Sequence, residues 1–111
     1  MKTYKDAELN ELINHLNVFF PQNTSQFILY GSYARGDNNE FSDIDLMILT
    51  DLSEAEIVSI EDSISDAAYE FELEKGVPVS VNIKNKEHFS YWAETLPYYK
   101  NIAKEGIVLV G

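Results

Sequence analysis

Asp43 and Asp45 stand two apart at the head of an apolar run, Ile44-Asp45-Leu46-Met47-Ile48-Leu49. Shortly before them the chain carries Gly31-Ser32-Tyr33-Ala34-Arg35-Gly36. In a strand, alternate side chains share a face, so both carboxylates fall on one face, roughly 6–7 Å apart along the chain, and Ile44 and Leu46 point the other way. Two adjacent carboxylates repel, and a buried charge without a partner is costly. A hard divalent cation relieves both problems. Mg²⁺ takes oxygen ligands and needs only one or two protein carboxylates beside substrate phosphates. The Gly31-Ser32 pair supplies the complement: glycine allows backbone geometry that a side chain blocks, and serine offers a hydroxyl and an exposed N–H, a fit for phosphate oxygens. Arg35 has two readings, an ion pair with a local Asp or Glu or a contact to a triphosphate, since an Arg fork suits phosphate geometry. The chemistry predicted is a phosphate cradle beside a metal clamp on adjacent strands.

The elements that must position these groups follow from periodicity. Apolar residues recur at three and four from Leu9 to Phe20, predicting a helix from about Lys5 to Val18, closed by Pro21 and the polar run Gln22-Asn23-Thr24-Ser25. His15 lies beside that stripe and reads as a partly exposed helix residue. Phe27 to Tyr30 is the first strand, and Asp43 to Thr50 the second, apolar enough to be covered on both faces. Between them the stretch from Gly31 reads as a tight polar turn, followed by the loop cluster Gly36-Asp37-Asn38-Asn39. Ser53-Glu54-Ala55-Glu56 is a capping box opening a long helix to about Lys75, with Ile57, Ile60, Ile64, Ala67 or Ala68 and Phe71 inward and Gly76 as its stop. Val77 to Ile83 is a third strand, with Val79, Val81 and Ile83 on one face, Ser80 and Asn82 on the other, and Pro78 marking a strand start or an edge. Lys86 to Leu96 is a helix with Phe89 and Trp92 inward, broken by Pro97. Tyr98 to Glu105 is a shorter helix, and Ile107 to Val110 a last strand. Tyr91, Trp92, Tyr98 and Tyr99 read as core and interface before they read as a base-stacking shelf, and His88 as a surface residue.

Size and charge narrow the function. A chain of 111 residues with 45% apolar content fits one small domain, residues 1–111. No apolar run approaches the roughly 18–20 residues of a membrane span, nothing reads as a secretory leader, and there are no cysteines. The expectation is a cytoplasmic protein without disulfides or thiolate metal sites. The net charge is −11, from 19 acidic and 8 basic residues, which argues against a grip on long nucleic acid. A small nucleotide carried with Mg²⁺ escapes that objection, because the metal offsets charge locally. The acidity also suits a basic protein partner.

Gly31-Ser32 followed by Asp43-x-Asp45 resembles the signature of the DNA polymerase β-like nucleotidyltransferase superfamily. The fuller string, Gly-Ser-Tyr-Ala-Arg-Gly and then Ser-Asp-Ile-Asp-Leu, is similar to its minimal nucleotidyltransferase branch. The resemblance implies an α+β fold, a short mixed β-sheet flanked by helices. It implies Mg²⁺ on Asp43 and Asp45 and nucleotide phosphates on Gly31 and Ser32. It further implies transfer of AMP from ATP to a tyrosine of a small helical HEPN-type partner, as in toxin–antitoxin pairs. The chain has no second lobe for an acceptor, so a separate protein is expected to bring it. One position departs from the pattern. Active members of the superfamily carry a third carboxylate on the strand after the long helix; by alternation that position is Ser80, and Asn82 on the same face is neutral too. Serine is a poor metal ligand and no general base at neutral pH. Chemistry would then need another base, for which Glu40 and Asp37 in the loop are candidates, a base from the partner, or solvent. The departure keeps open a catalytically degenerate module that binds a nucleotide or a partner without transfer. A third reading is a structural subunit whose Asp pair merely caps a loop.

Overall fold

The computed structural model describes residues 6–21, 25–39 and 42–110. Lys5, Gln22, Asn23, Thr24 and Glu40, which entered the expectations above, lie outside the described residues. Nine elements follow in order: α1 (Asp6–Asn17), β1 (Ser25–Tyr30), α2 (Ser32–Arg35), β2 (Ile44–Thr50), α3 (Glu54–Lys75), β3 (Val79–Asn85), α4 (Lys86–Ala93), α5 (Pro97–Glu105) and β4 (Ile107–Val110). The strands form one mixed sheet in the order β3-β2-β1-β4. β1 runs antiparallel to both β2 and β4, whereas β2 and β3 are parallel. A parallel pair needs a long crossover, and α3 provides it. The outcome is the expected α+β architecture with a short mixed sheet between helices.

Alternation along the strands divides the core in two. Phe27, Leu29, Ile44, Leu46 and Ile48 join Leu9, Leu12, Ile13 and Leu16 of α1 and Ile64 and Phe71 of α3 on one face. Val79, Val81 and Ile83 pack at the edge of that layer. On the other face Ile28, Met47 and Leu49 meet Phe89 of α4 and Ile102 of α5. β2 is therefore covered on both sides, as its unbroken apolar run requires. Asp45, one residue out of phase with Ile44 and Leu46, belongs to the α4/α5 face.

Helix α3 is held at both ends as its sequence predicts. Ser53 Oγ accepts from the Glu56 N–H at 3.2 Å, and Glu56 Oε1 accepts from the Ser53 N–H at 2.9 Å. Gly76 closes the helix in the left-handed region, φ 74°. Caps of this kind contribute about 1 kcal/mol. Glu72 Oε1 also accepts the Val79 N–H at 2.6 Å, tying the helix to the start of β3. Pro78 sits just before that strand, with its carbonyl accepting from Ile44 N–H, and β3 is an edge strand.

Three local expectations need correction. The stretch expected as a tight polar turn and the start of a loop is one turn of helix, α2, entered at Gly31 and closed by Gly36 at φ 79°. Helix α4 stops at Ala93 rather than Leu96, because Pro97 takes the first position of α5, where its missing N–H costs nothing. Trp92 does not face inward with Phe89: it is 43% exposed, and its ring meets Tyr91 edge-on. Phe89 and Ala93, together with Ile102 and Tyr99 of α5, already cover that part of the sheet, which leaves Trp92 on the rim.

Candidate active site

The two halves of the motif touch. Gly31 has φ 75° and ψ −154°, a conformation open in practice only to glycine. A Cβ built there would overlap the Asp45 carboxylate at Oδ2. The absent side chain is thus what lets Asp45 lie directly against the backbone at the entry to α2. Strand register produces this meeting: Tyr30, the last residue of β1, is opposite Asp45 in the antiparallel pair. The helical turn then begins at Ser32, and the Arg35 N–H closes it onto the Gly31 carbonyl at 3.1 Å. Ser32 is the first residue of this turn, and the first N–H groups of a helix have no carbonyl acceptor within the helix itself.

Asp43 is exposed and lies just ahead of β2, while Asp45 is partly buried within it. Burial pushes the Asp45 carboxyl above the usual carboxylate range, and the negative charge of Asp43 pushes it the same way. Arg35 opposes both. The Arg35 guanidinium reaches Asp37, Nε to Oδ2 3.2 Å, so the local ion pair is realised on an exposed surface. Asp37 is occupied by that contact. Tyr33 is close enough for Asp43 to raise its phenol, after the larger effect of burial.

Across the sheet, Asp45 is flanked by Tyr30 on β1 and Ser80 on β3. The parallel register puts Ser80 directly opposite Asp45. Asn82, next on the same face, donates from Nδ2 to the Tyr30 hydroxyl at 2.9 Å. The Tyr30 hydroxyl also shares a 3.1 Å hydrogen bond with that of Tyr98. Burial, chiefly, raises the Tyr30 phenol far above its ordinary value, so it is a neutral hydroxyl at physiological pH. Among the described residues no group of three or more His, Asp or Glu side chains is arranged to hold a metal ion. Asp43 and Asp45 nevertheless suit a cation that completes its shell with water and phosphate oxygens, since two like charges, one partly desolvated, lose their repulsion when it binds.

Beside Gly31 lies a cavity of about 270 Å³ lined by Tyr30, Gly31, Arg35, Tyr98, Asn101, Ile102 and Glu105. Asn101 and Glu105 were not singled out from the sequence. Their signal was present in spacing: Tyr98, Asn101, Ile102 and Glu105 recur at three and four along α5 and share one face. His15 and His88 take no part. Both are exposed, and His88 Nδ1 pairs with Glu54 Oε1 at 2.7 Å.

The nucleotidyltransferase domain family matches residues 9–110, and the chain belongs to it. A Methanocaldococcus jannaschii protein named "putative protein adenylyltransferase" is 30% identical over 108 residues, covering 95% of this chain and 97% of that one. Among solved structures, a toxin–antitoxin crystal structure with AMP-PNP matches 97% of this chain and 74% of its own, with TM-score 0.59 and 16% identity. A mutant of the toxin–antitoxin MntA–HpeT, carrying two Asp-to-Glu changes, matches the same shares with TM-score 0.55 and 12% identity. At those identities the structural likeness speaks for the fold. Among the described residues no helix is long and apolar enough to cross a membrane.

Proposed function

We propose that this chain carries out Mg²⁺-dependent transfer of AMP from ATP to a hydroxyl group on a partner protein. What supports this above all is the packing of the Asp45 carboxylate against the Gly31 backbone, which joins a cation site to a phosphate site. Asp43 and Asp45 would hold the metal, which when bound polarises the phosphate and stabilises the leaving group. Ser32 and the Gly31 backbone would take the outer phosphates. Arg35, exposed and paired only across a surface, can exchange Asp37 for them at little cost. The acceptor oxygen attacks the α-phosphorus, its bond to the bridging oxygen breaks, and pyrophosphate departs. The acceptor proton passes to solvent or to a base on the partner, since Ser80 cannot take it. The M. jannaschii relative's name supports adenylyl transfer to protein. The toxin–antitoxin structures, one of them with AMP-PNP, support an adenine nucleotide and a protein partner; that this partner is a helical HEPN-type toxin is what the motif resemblance implies. An acidic chain of net charge −11 suits a basic partner.

The test is a thermal-shift titration with Mg²⁺, ATP and both together, on wild type and Asp43→Asn. A ligand at a hundred times its dissociation constant stabilises by about 2.7 kcal/mol, several degrees for a domain of this size. The expected shift needs both ligands and disappears in the variant. A shift that survives in Asp43→Asn, or none at all, defeats the assignment.

Ser80 beside Asp45 favours one rival, a binding module that transfers nothing. The two readings part on Ser80→Asp. A positioned base contributes about 10²–10⁴-fold, so even a poorly aligned carboxylate at this position is expected to raise AMP transfer to the partner by roughly tenfold. Tighter Mg²⁺ binding without any transfer would favour the rival.

A further inference from the structure

The reading above uses only one end of the cavity between α2 and α5, at Gly31 and Arg35, and places phosphates and metal but not the nucleoside. We propose that it is the nucleoside subsite, with Tyr98 as the stacking wall and Asn101 contacting the edge of the base. This rests on the nucleotidyltransferase reading and adds to it the recognition of the base. The cavity starts at Gly31 and Arg35, the residues assigned to the phosphates, so a nucleotide can run from one site into the other without a break. Its volume of about 270 Å³ is just below the roughly 300–1,000 Å³ of whole-ligand sites, which suits a base and its ribose rather than an entire nucleoside triphosphate. Glu105 in the lining repels phosphate, which orients the ligand with its uncharged end inward.

The lining also has the right chemistry. Tyr98 is 53% exposed, yet its ring is pinned by edge-on contacts with Tyr30 and Tyr99 and by the hydroxyl bond to Tyr30. A fixed, accessible aromatic face is what a base stacks on. Ile102 supplies an apolar floor. The Asn101 amide carries both a donor and acceptors, as a base edge demands, and the Glu105 carboxylate accepts from an amino or ribose hydroxyl group. Sheet order leaves the opposite flank of Asp45, by Ser80 on β3, for the acceptor.

Isothermal titration with Mg–ATP and with Mg–tripolyphosphate, which has no nucleoside, tests this on wild type, Asn101→Ala, Tyr98→Ala and Tyr98→Phe. Loss of a stacking face is expected to weaken Mg–ATP by roughly tenfold or more in Tyr98→Ala, and loss of a hydrogen bond by about threefold to tenfold in Asn101→Ala. Tyr98→Phe keeps the ring and is expected to keep the affinity. Tripolyphosphate affinity is expected to be the same in all four proteins. If Mg–ATP binds every variant as it binds wild type, or if both ligands weaken together, the nucleoside lies elsewhere, while the phosphate and metal site stands. If wild type binds neither ligand, the nucleotidyltransferase reading and the subsite fall together.

Discussion

Replacing Asp45 by Asn is expected to abolish AMP transfer while making the ligand-free protein more stable at neutral pH. The two effects share one cause. Burial and the neighbouring Asp43 raise the Asp45 carboxyl above its ordinary value, so the ionised form is disfavoured in the fold. Between the ordinary carboxylate value of about 4 and the raised folded value, the folded chain holds a proton that the unfolded chain has released. Above that window the ionised Asp45 costs stability; as the pH falls through the folded value, the cost is relieved. Asn carries no charge at any pH. Its melting temperature in Mg²⁺-free buffer is therefore expected to exceed that of wild type at pH 7, and the gap to close as the pH is lowered toward 4. With Mg²⁺ and ATP the order reverses, because only wild type gains ligand stabilisation. Loss of metal polarisation removes several kcal/mol of transition-state stabilisation, or about 10³-fold in rate. A variant that is less stable than wild type in Mg²⁺-free buffer at pH 7 would show that Asp45 is a structural carboxylate.

Gly31→Ala is expected to cost stability and nucleotide binding together. The alanine would sit at φ 75° and ψ −154°, a region costing about 1–3 kcal/mol for a residue with a side chain, and its Cβ would strike the Asp45 carboxylate as well. Gly36→Ala is the control. Gly36 has nearly the same φ, 79°, but lies in the left-handed region with open space where a Cβ would go. That substitution meets only the backbone penalty of about 1–2 kcal/mol. Chemical denaturation should therefore place Gly31→Ala below Gly36→Ala in stability, and nucleotide binding should be lost in the first and retained in the second. Equal stabilities would mean that Asp45 swings aside freely and that the close packing of turn on carboxylate is not what organises the site.

Much of this was legible in the chain. The capping box at Ser53, the stop at Gly76 and the alternation of β2 are local: each depends on residues within a turn or a strand of one another, so their spacing records them directly. The same holds for the motif itself, because Gly31, Ser32, Asp43 and Asp45 are close in sequence. What spacing does not record depends on distant partners. Trp92 matches the inward face of α4 by spacing, but residues of α5 already cover the sheet there. The helical form of the Gly31–Gly36 stretch is hidden for another reason: four helical residues are too few to show a period.

The sequence by itself determined the family, the α+β order of elements and the candidate chemistry, since these follow from local propensity, period and one dense motif. Only the tertiary structure decided that Asp45 lies against Gly31, that Ser80 and Tyr30 flank it, and that Tyr98, Asn101 and Glu105 of a helix near the end of the chain open a cavity beside it. Those neighbours are set by strand register and by the docking of α5 on the sheet. Such contacts join residues of different elements and leave no spacing along the chain from which they can be read.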